Sequence, residues 1–252
     1  MSGRNQVTNE HRSGAKQFVH GFFALFGLRV SRLSATRPTG SDKYFNTGAL
    51  MPLQENSREL YERFYSDHEA LEEYYQDYRL DFYKAVSAQV RGSGLILDGK
   101  DVLDVGCGTG HLLAELQGWS QPRSLTGCDF SEQAMKFSRE RFPDCQFFRH
   151  DIYEPLPRRH DVVLCTEVLE HLERPFIALN NLLNAVRPGG ALVLTAPNGR
   201  HDTANEHINF WSPESWRAFL ERECHMCRPE TAMLLDGRVN FGLLRIPLPA
   251  TL

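Results

Sequence analysis

Glu167, Glu170 and His171 lie together in Thr166-Glu167-Val168-Leu169-Glu170-His171. Offsets of three and four residues bring all three onto one face of a helical turn. His207 comes later, in Asn205-Glu206-His207-Ile208-Asn209-Phe210-Trp211, where the chain can fold back over the same point. Two carboxylates and two imidazoles form a candidate divalent-cation site. Oxygen ligands favour magnesium or manganese, and two imidazoles push toward manganese, iron or zinc. A cation there would lower the pKa of a hydroxyl nucleophile and fix its oxygen. The same residues also read without metal, with Glu167 and Glu170 as pocket-wall or helix-start residues and His171, beside Glu170, as a general base.

A second group surrounds a glycine turn. Val102-Leu103-Asp104-Val105 reads as a strand, and Gly106-Cys107-Gly108-Thr109-Gly110 opens a helix. Glycines let the backbone turn tightly and approach a ligand, and the helix N-terminus offers free N–H groups. Asp129 ends the next strand, where a carboxylate can accept both hydroxyls of a ribose. Asp151 follows the third strand, within reach of an adenine amino group. Either acid alone reads as the cap of the next helix or turn. Both together, each after its strand, favour a nucleoside ligand.

These residues need elements to position them. From residue 101, short apolar strands alternate with helical segments. The strands are expected at Asp101–Val105, Ser124–Cys128, Gln146–Arg149, Asp161–Cys165 and Ala191–Thr195, with helices over 110–117, 131–141 and 174–186. This alternation predicts an α/β, doubly wound, mostly parallel sheet covered on both faces. Two further strands near 231–236 and 240–246, joined at Asp236-Gly237, predict an antiparallel edge. Residues 57–90 read as helical. Their aromatic stripe, including Tyr61, Phe64, Tyr65, Tyr74 and Tyr75, suits core packing first, with part of it able to lid a pocket.

Residues 1–56 read as an N-terminal extension before a domain over 57–252. Residues 1–16 are polar and expected to be disordered. Residues 17–33 form a short basic amphipathic pattern, which is either a membrane-surface or partner-docking helix or one packed on the domain's own surface. Residues 34–56 read as an irregular arm.

Taken in order, Asp104-Val105-Gly106-Cys107-Gly108-Thr109-Gly110, Cys128-Asp129-Phe130-Ser131, His150-Asp151-Ile152, Thr166 to His171 and Val186-Arg187-Pro188-Gly189-Gly190 resemble the class I S-adenosylmethionine (SAM)-dependent methyltransferases over residues 75–245. The glycine spacing does not fit the dinucleotide fingerprint of NAD(P)-linked oxidoreductases. The resemblance implies a seven-stranded Rossmann-like sheet with SAM as cofactor. Asp104, Gly106, Cys107 and Gly108 would line the methionine portion, and Asp129 would hold the ribose. Phe130, Asp151 and Ile152 would surround the adenine, Thr166 would lie near the sulfonium, and Arg79 would meet the SAM carboxylate. The Glu-x-x-Glu-His segment is similar to that of ubiquinone-biosynthesis O-methyltransferases and of small-RNA 3′-end 2′-O-methyltransferases. A small-molecule oxygen acceptor (a quinone precursor, glycan or lipid-linked molecule) is the first expectation. An RNA 2′-hydroxyl, or a SAM-binding module without catalysis, is the alternative.

Composition narrows the choice. A formal net charge of -4 argues against a broad nucleic-acid-gripping surface, though it leaves room for a local basic patch. No stretch reaches the length of a membrane span. The six cysteines show no disulfide framework, which points to a reducing, cytoplasmic setting with peripheral membrane contact through residues 17–33 as the variant. Cys224-His225-Met226-Cys227 offers at most half a zinc site, and free thiols are the preferred reading.

Overall fold

The computed structural model describes residues 57–75, 78–204, 206–225 and 227–249. The expected amphipathic segment 17–33 and the arm 34–56 lie outside them. Among the described residues, no helix is long and apolar enough to cross a membrane.

The helical region is three helices: α1 (Arg58–Ser66), α2 (His68–Tyr74) and α3 (Tyr78–Gly92). Ser57 starts α1 by accepting from the Leu60 N–H at 3.2 Å, and Asp67 divides α1 from α2 by accepting from the Ala70 N–H at 3.1 Å. The alternating part follows as β1 (Asp101–Val105), α4 (His111–Gln117), β2 (Ser124–Asp129), α5 (Glu132–Arg141), β3 (Gln146–Arg149), β4 (His160–Thr166), α6 (Pro175–Asn184), β5 (Val186–Pro197), α7 (Pro213–Glu223), β6 (Glu230–Leu234) and β7 (Val239–Arg245). The seven strands run in the order β3-β2-β1-β4-β5-β7-β6. The first five are parallel, and β7 pairs antiparallel with β5 and β6, so the expected antiparallel edge is present.

Side chains alternate across the sheet, so neighbouring residues of one strand enter different cores. Leu103, Val163 and Leu194 pack with Leu179 of α6 and Leu220 of α7. Val102, Val162 and Val193 pack on the other face with Val86 of α3 and Leu113 of α4. Covering both faces explains why β1 is buried at every position.

Two details differ from the sequence reading. β5 begins at Val186, which pairs with His160 before the register shifts to Val162 and Ala191. The Arg187–Gly190 segment therefore belongs to the strand as an irregularity, with Gly189 in the left-handed region at φ +78°. Cys224 and Cys227 are not free thiols but a disulfide pair. The chain turns sharply after α7, where the Cys227 N–H donates to the Cys224 carbonyl, and their Cα atoms stand 5.6 Å apart, within disulfide reach.

Strand order reverses between β1 and β4, so the loops leaving these two strands diverge and open a crevice at the carboxyl edge of the sheet. Asp104 to Gly108 and Thr166 to His171 occupy those loops. At the opposite edge, Asp101 at the start of β1 accepts from Arg123 Nε at 2.9 Å, Arg123 Nη2 at 2.6 Å and Arg187 Nη1 at 2.8 Å. Asp161 of β4 joins this network through the Asp101 N–H at 2.8 Å and Arg187 at 3.0 Å.

Candidate functional site

The crevice holds two compartments with shared walls. The larger, about 870 Å³, is lined by Arg79, Asp104, Gly106, Cys107, Gly108, Thr166, Glu167, Glu170, His171 and His207, together with tyrosines of α1 and α2. The smaller, about 130 Å³, is lined by Asp129, Phe130, Asp151 and Ile152. Gly106, Glu167 and His171 border both, as do Tyr61 and Tyr65. All the residues singled out from the sequence therefore converge on one cleft.

The turn after β1 is shaped for close approach. Gly106 has φ +71° and Gly108 φ +50°. A Cβ on Gly106 would run into Val168 Cγ2, and one on Gly108 would lie 3.0 Å from the Tyr65 hydroxyl oxygen. Cys107 contributes backbone to the cleft. Its side chain is buried with Ala134 and Met135, where burial pushes the thiol pKa up.

Asp104 is 1% exposed, and its Oδ1 has no hydrogen-bond partner among the described residues. Burial, reinforced by the charge of Asp129, pushes its carboxyl well above the usual carboxylate range. Asp129 accepts the Gly108 N–H at 3.1 Å and the Ser131 N–H at 3.0 Å, which ties the glycine turn to the end of β2. Burial raises its pKa to about 6, against the pull of those N–H groups. Two bonds leave lone pairs on a carboxylate. Asp151 is exposed and accepts the Tyr153 N–H at 3.0 Å, so it stabilises the next turn and faces the smaller compartment as well.

Arg79 places its guanidinium over the rings of Tyr74 at 4.5 Å and Phe82 at 5.6 Å. Those faces hold the cation in a partly buried position.

The chain leaves β4 sharply. Glu167 sits at φ +54°, in the left-handed region, and a single 3₁₀ turn spans Leu169–His171. Glu167 accepts from the Thr195 hydroxyl at 2.9 Å. Glu170 is fully buried, and neither carboxyl oxygen has a hydrogen-bond partner among the described residues. Burial, then the charge of Glu167, raises its pKa strongly.

Both histidines are anchored through Nδ1. His171 Nδ1 lies 3.2 Å from the Glu206 carbonyl, and His207 Nδ1 lies 2.6 Å from Asp202 Oδ2. Their rings pack edge to face at 4.7 Å. His171 Nε2 is 3.8 Å from Glu170 Oε1. Burial, aided by His207, lowers the His171 pKa to about 3, so its imidazole is neutral at physiological pH. One ligand atom each from Glu170, His171 and His207 lie within 4.8 Å of one another. Glu167, expected as a fourth ligand, is not in that set. The backbone reversal at 167 carries its side chain to Thr195 instead.

Sequence reasoning missed Asp202, which orients His207 from five residues upstream. It placed the turn at Asp236-Gly237 but not its position at the cleft, where it supplies Asp236 and Arg238. An Asp-x-x-x-x-His spacing was a faint signal for the first, and nothing local tied the second to the cleft.

A methyltransferase-domain family model matches residues 71–227. A ubiquinone biosynthesis O-methyltransferase from Idiomarina loihiensis is 32% identical over 168 residues, covering 60% of this chain and 68% of that protein. A 2-methyl-6-phytyl-1,4-hydroquinone methyltransferase from Synechocystis is 29% identical, over 69% of this chain and 58% of that protein's length. In fold, the chain is similar to DhpI bound to S-adenosylhomocysteine (SAH), with a TM-score of 0.60, 18% identity, and 76% of this chain and 95% of that one covered. It is also similar to the N-methyltransferase NodS from Bradyrhizobium japonicum, with a TM-score of 0.59, 18% identity, and 77% and 100% covered.

Proposed function

Because this chain belongs to the class I SAM-dependent methyltransferases, we propose that it methylates a hydroxyl oxygen on an aromatic small molecule, of the kind a quinone precursor presents. One observation carries this reading. The larger compartment is walled by Tyr61, Tyr74, Tyr75 and Phe82 and opens onto the neutral, Nδ1-anchored imidazole of His171. Aromatic walls suit a planar ring better than a glycan. One relative is named an O-methyltransferase of ubiquinone biosynthesis and the other a hydroquinone methyltransferase, which supports a ring of this type as the acceptor.

The cleft fits the cofactor. The buried, unpartnered Oδ1 of Asp104 matches a donor such as the methionine ammonium. The Cβ-free backbone at Gly106 leaves room for a close contact. Asp129 would take the ribose hydroxyls, and Phe130, Ile152 and Asp151 the adenine. Arg79 would meet the carboxylate, and Thr166 would stand near the sulfonium. When bound, SAM supplies an electrophilic methyl group. His171, with Nδ1 held by the Glu206 carbonyl, offers its Nε2 lone pair to the acceptor hydroxyl and orients that oxygen; with its pKa lowered it is a weak base, so it takes the proton as the oxygen bonds the methyl group and the hydroxyl acidifies. Glu170 stands beside it, with Oε1 3.8 Å from that Nε2.

A second reading rests on the Glu170–His171–His207 cluster. Two imidazoles and a carboxylate suit manganese, iron or zinc, with magnesium less favoured. Asp202 and the Glu206 carbonyl hold the two rings from behind, as outer-shell partners of metal ligands do. A cation there would lower the acceptor pKa.

Turnover assays with SAM and catechol, sugar and oligoribonucleotide acceptors, read by mass spectrometry, test the first reading. A methyl ether on the catechol is expected. Methylation of only the sugar or RNA overturns it. Dialysis against EDTA separates the two roles of His171, because turnover that survives the chelator removes the metal.

A further inference from the structure

We propose that Glu62 is a positioning residue, which latches α1 over the cofactor compartment by capping the N-terminus of α5 and so sets how long SAM and its demethylated product stay bound. The proposal rests on the reading that this compartment holds SAM.

Glu62 reaches across from another helix. Its Oε1 accepts the Glu132 N–H at 2.9 Å, and its Oε2 accepts the Gln133 N–H at 3.0 Å and the Ser131 hydroxyl at 2.9 Å. The partners lie 69 to 71 residues away in sequence. α5 already has its own cap, since Ser131 Oγ accepts the Ala134 N–H at 3.2 Å. Glu62 takes the two first-turn donors that Ser131 leaves over. A carboxylate at that end of a helix also meets the favourable end of its dipole.

What the latch holds is the wall of the cleft. Tyr61 and Tyr65, four residues apart and so on one face of α1, flank Glu62 and border both compartments. The Tyr61 ring packs 5.3 Å from Phe130 and 6.2 Å from His171. Tyr65 sets its hydroxyl against Gly108. α1 therefore stands across the adenosine end and the reacting end alike.

Apolar contacts hold the rest of α1, and Tyr65 packs with Cys107, Ala134 and Met135. Phe64 of α1 is buried with Ala70 and Leu71 against Phe137 of α5, in a small cluster outside the two cores that cover the sheet. A helix on a satellite cluster opens at lower cost than one in the main core. A polar clamp with three bonds from α1 to the start of α5, besides the Arg58 to Glu62 contact within α1, suits a wall that must part and close.

The test uses the full chain with Glu62→Ala, Glu62→Gln and, as a control, Ser57→Ala, which weakens the start of α1 and leaves the latch intact. In stopped flow, Glu62→Ala should release SAH about tenfold faster or more, as expected for lost charge-assisted bonds. Glu62→Gln, which keeps one acceptor oxygen, should fall between. The KM for SAM should rise while kcat at saturation stays near wild type. SAH release within about twofold of wild type in Glu62→Ala, or an equal acceleration in Ser57→Ala, overturns the proposal. Hydrogen exchange without ligand reads the clamp directly, since the Glu132 and Gln133 amides should exchange faster in Glu62→Ala. Unchanged exchange there overturns the latch whatever SAH does. A wild type that binds no SAH sinks the cofactor reading, and the exchange result still decides the capping.

Discussion

Asp101 and Asp104 stand three residues apart on β1, one near each edge of the sheet, and the protein treats them in opposite ways. Asp101 is surrounded by donors. Arg123 grips it with two bonds, Arg187 adds a third and Ser124 a fourth, and these hold its carboxyl well below the usual carboxylate range. Asp104 is buried with one oxygen unpartnered, and its pKa is driven up. The same contrast separates Asp161, paired with arginine at the start of β4, from Glu170 just past its end. At the amino edge Asp101 and Asp161 are both matched, and their network ties four strands together. At the carboxyl edge Asp104 and Glu170 are buried with oxygens that have no partner among the described residues. Unmet polarity inside a protein is destabilising, and it persists where function requires it.

The largest break in this contrast should come from Asp129. Asp129→Ala removes the acceptor for the Gly108 and Ser131 N–H groups as well as the proposed ribose ligand. Calorimetry should show SAM affinity falling about 100-fold or more, the scale of two charge-assisted hydrogen bonds. Affinity within about threefold of wild type would mean that the carboxyl edge is not waiting for this ligand.

A matched pair on β1 sharpens the contrast. Asp104→Asn should weaken SAM binding about tenfold while leaving the ligand-free protein at least as thermostable as wild type, because no bond in the free protein is lost from Oδ1. Asp101→Asn should do the reverse, lowering Tm by about 3–8 °C with SAM affinity unchanged. If the Asp104 variant melts several degrees lower, that residue is part of the scaffold and the division between the edges fails.

Much of this was legible in the sequence. The five parallel strands announce themselves as short apolar runs, and Asp104 and Asp129 near the ends of β1 and β2, with Asp151 just past β3, stand where a doubly wound sheet puts its ligand. Local spacing also brought Glu170 and His171 together. What stayed hidden depends on contacts between distant segments. Glu62 looks like one more exposed helical acid until α5 is beside it. The positive φ at Glu167, which removes that residue from the cluster of metal-ligating groups, has no signature in a residue that is neither glycine nor asparagine. The early start of β5 is set by one pairing, His160 with Val186, across a run of Arg-Pro-Gly-Gly that by itself reads as a loop.

The finest test is the sign of the pH dependence. A paired acid whose folded pKa is depressed stabilises the fold above its unfolded value, and loses that contribution as pH falls. For Asp101 the loss begins near an unfolded pKa of about 3.9 and continues below it. Asp104 runs the other way. With its folded pKa raised, it costs nothing below about pH 4, and the cost grows as pH climbs from there toward the folded value, above which it levels off. Asp129, raised to about 6, adds to that cost between about pH 4 and pH 6 and contributes a constant amount above it. Denaturant unfolding of the ligand-free protein across the acid to neutral range reads both. The deficit of Asp101→Asn relative to wild type should shrink toward low pH, and any gain of Asp104→Asn should shrink in the same direction because its source is the ionised form. The two differences therefore have opposite signs at neutral pH and converge in acid. Differences of one sign at neutral pH would show that the two edges of the sheet are held by the same electrostatics.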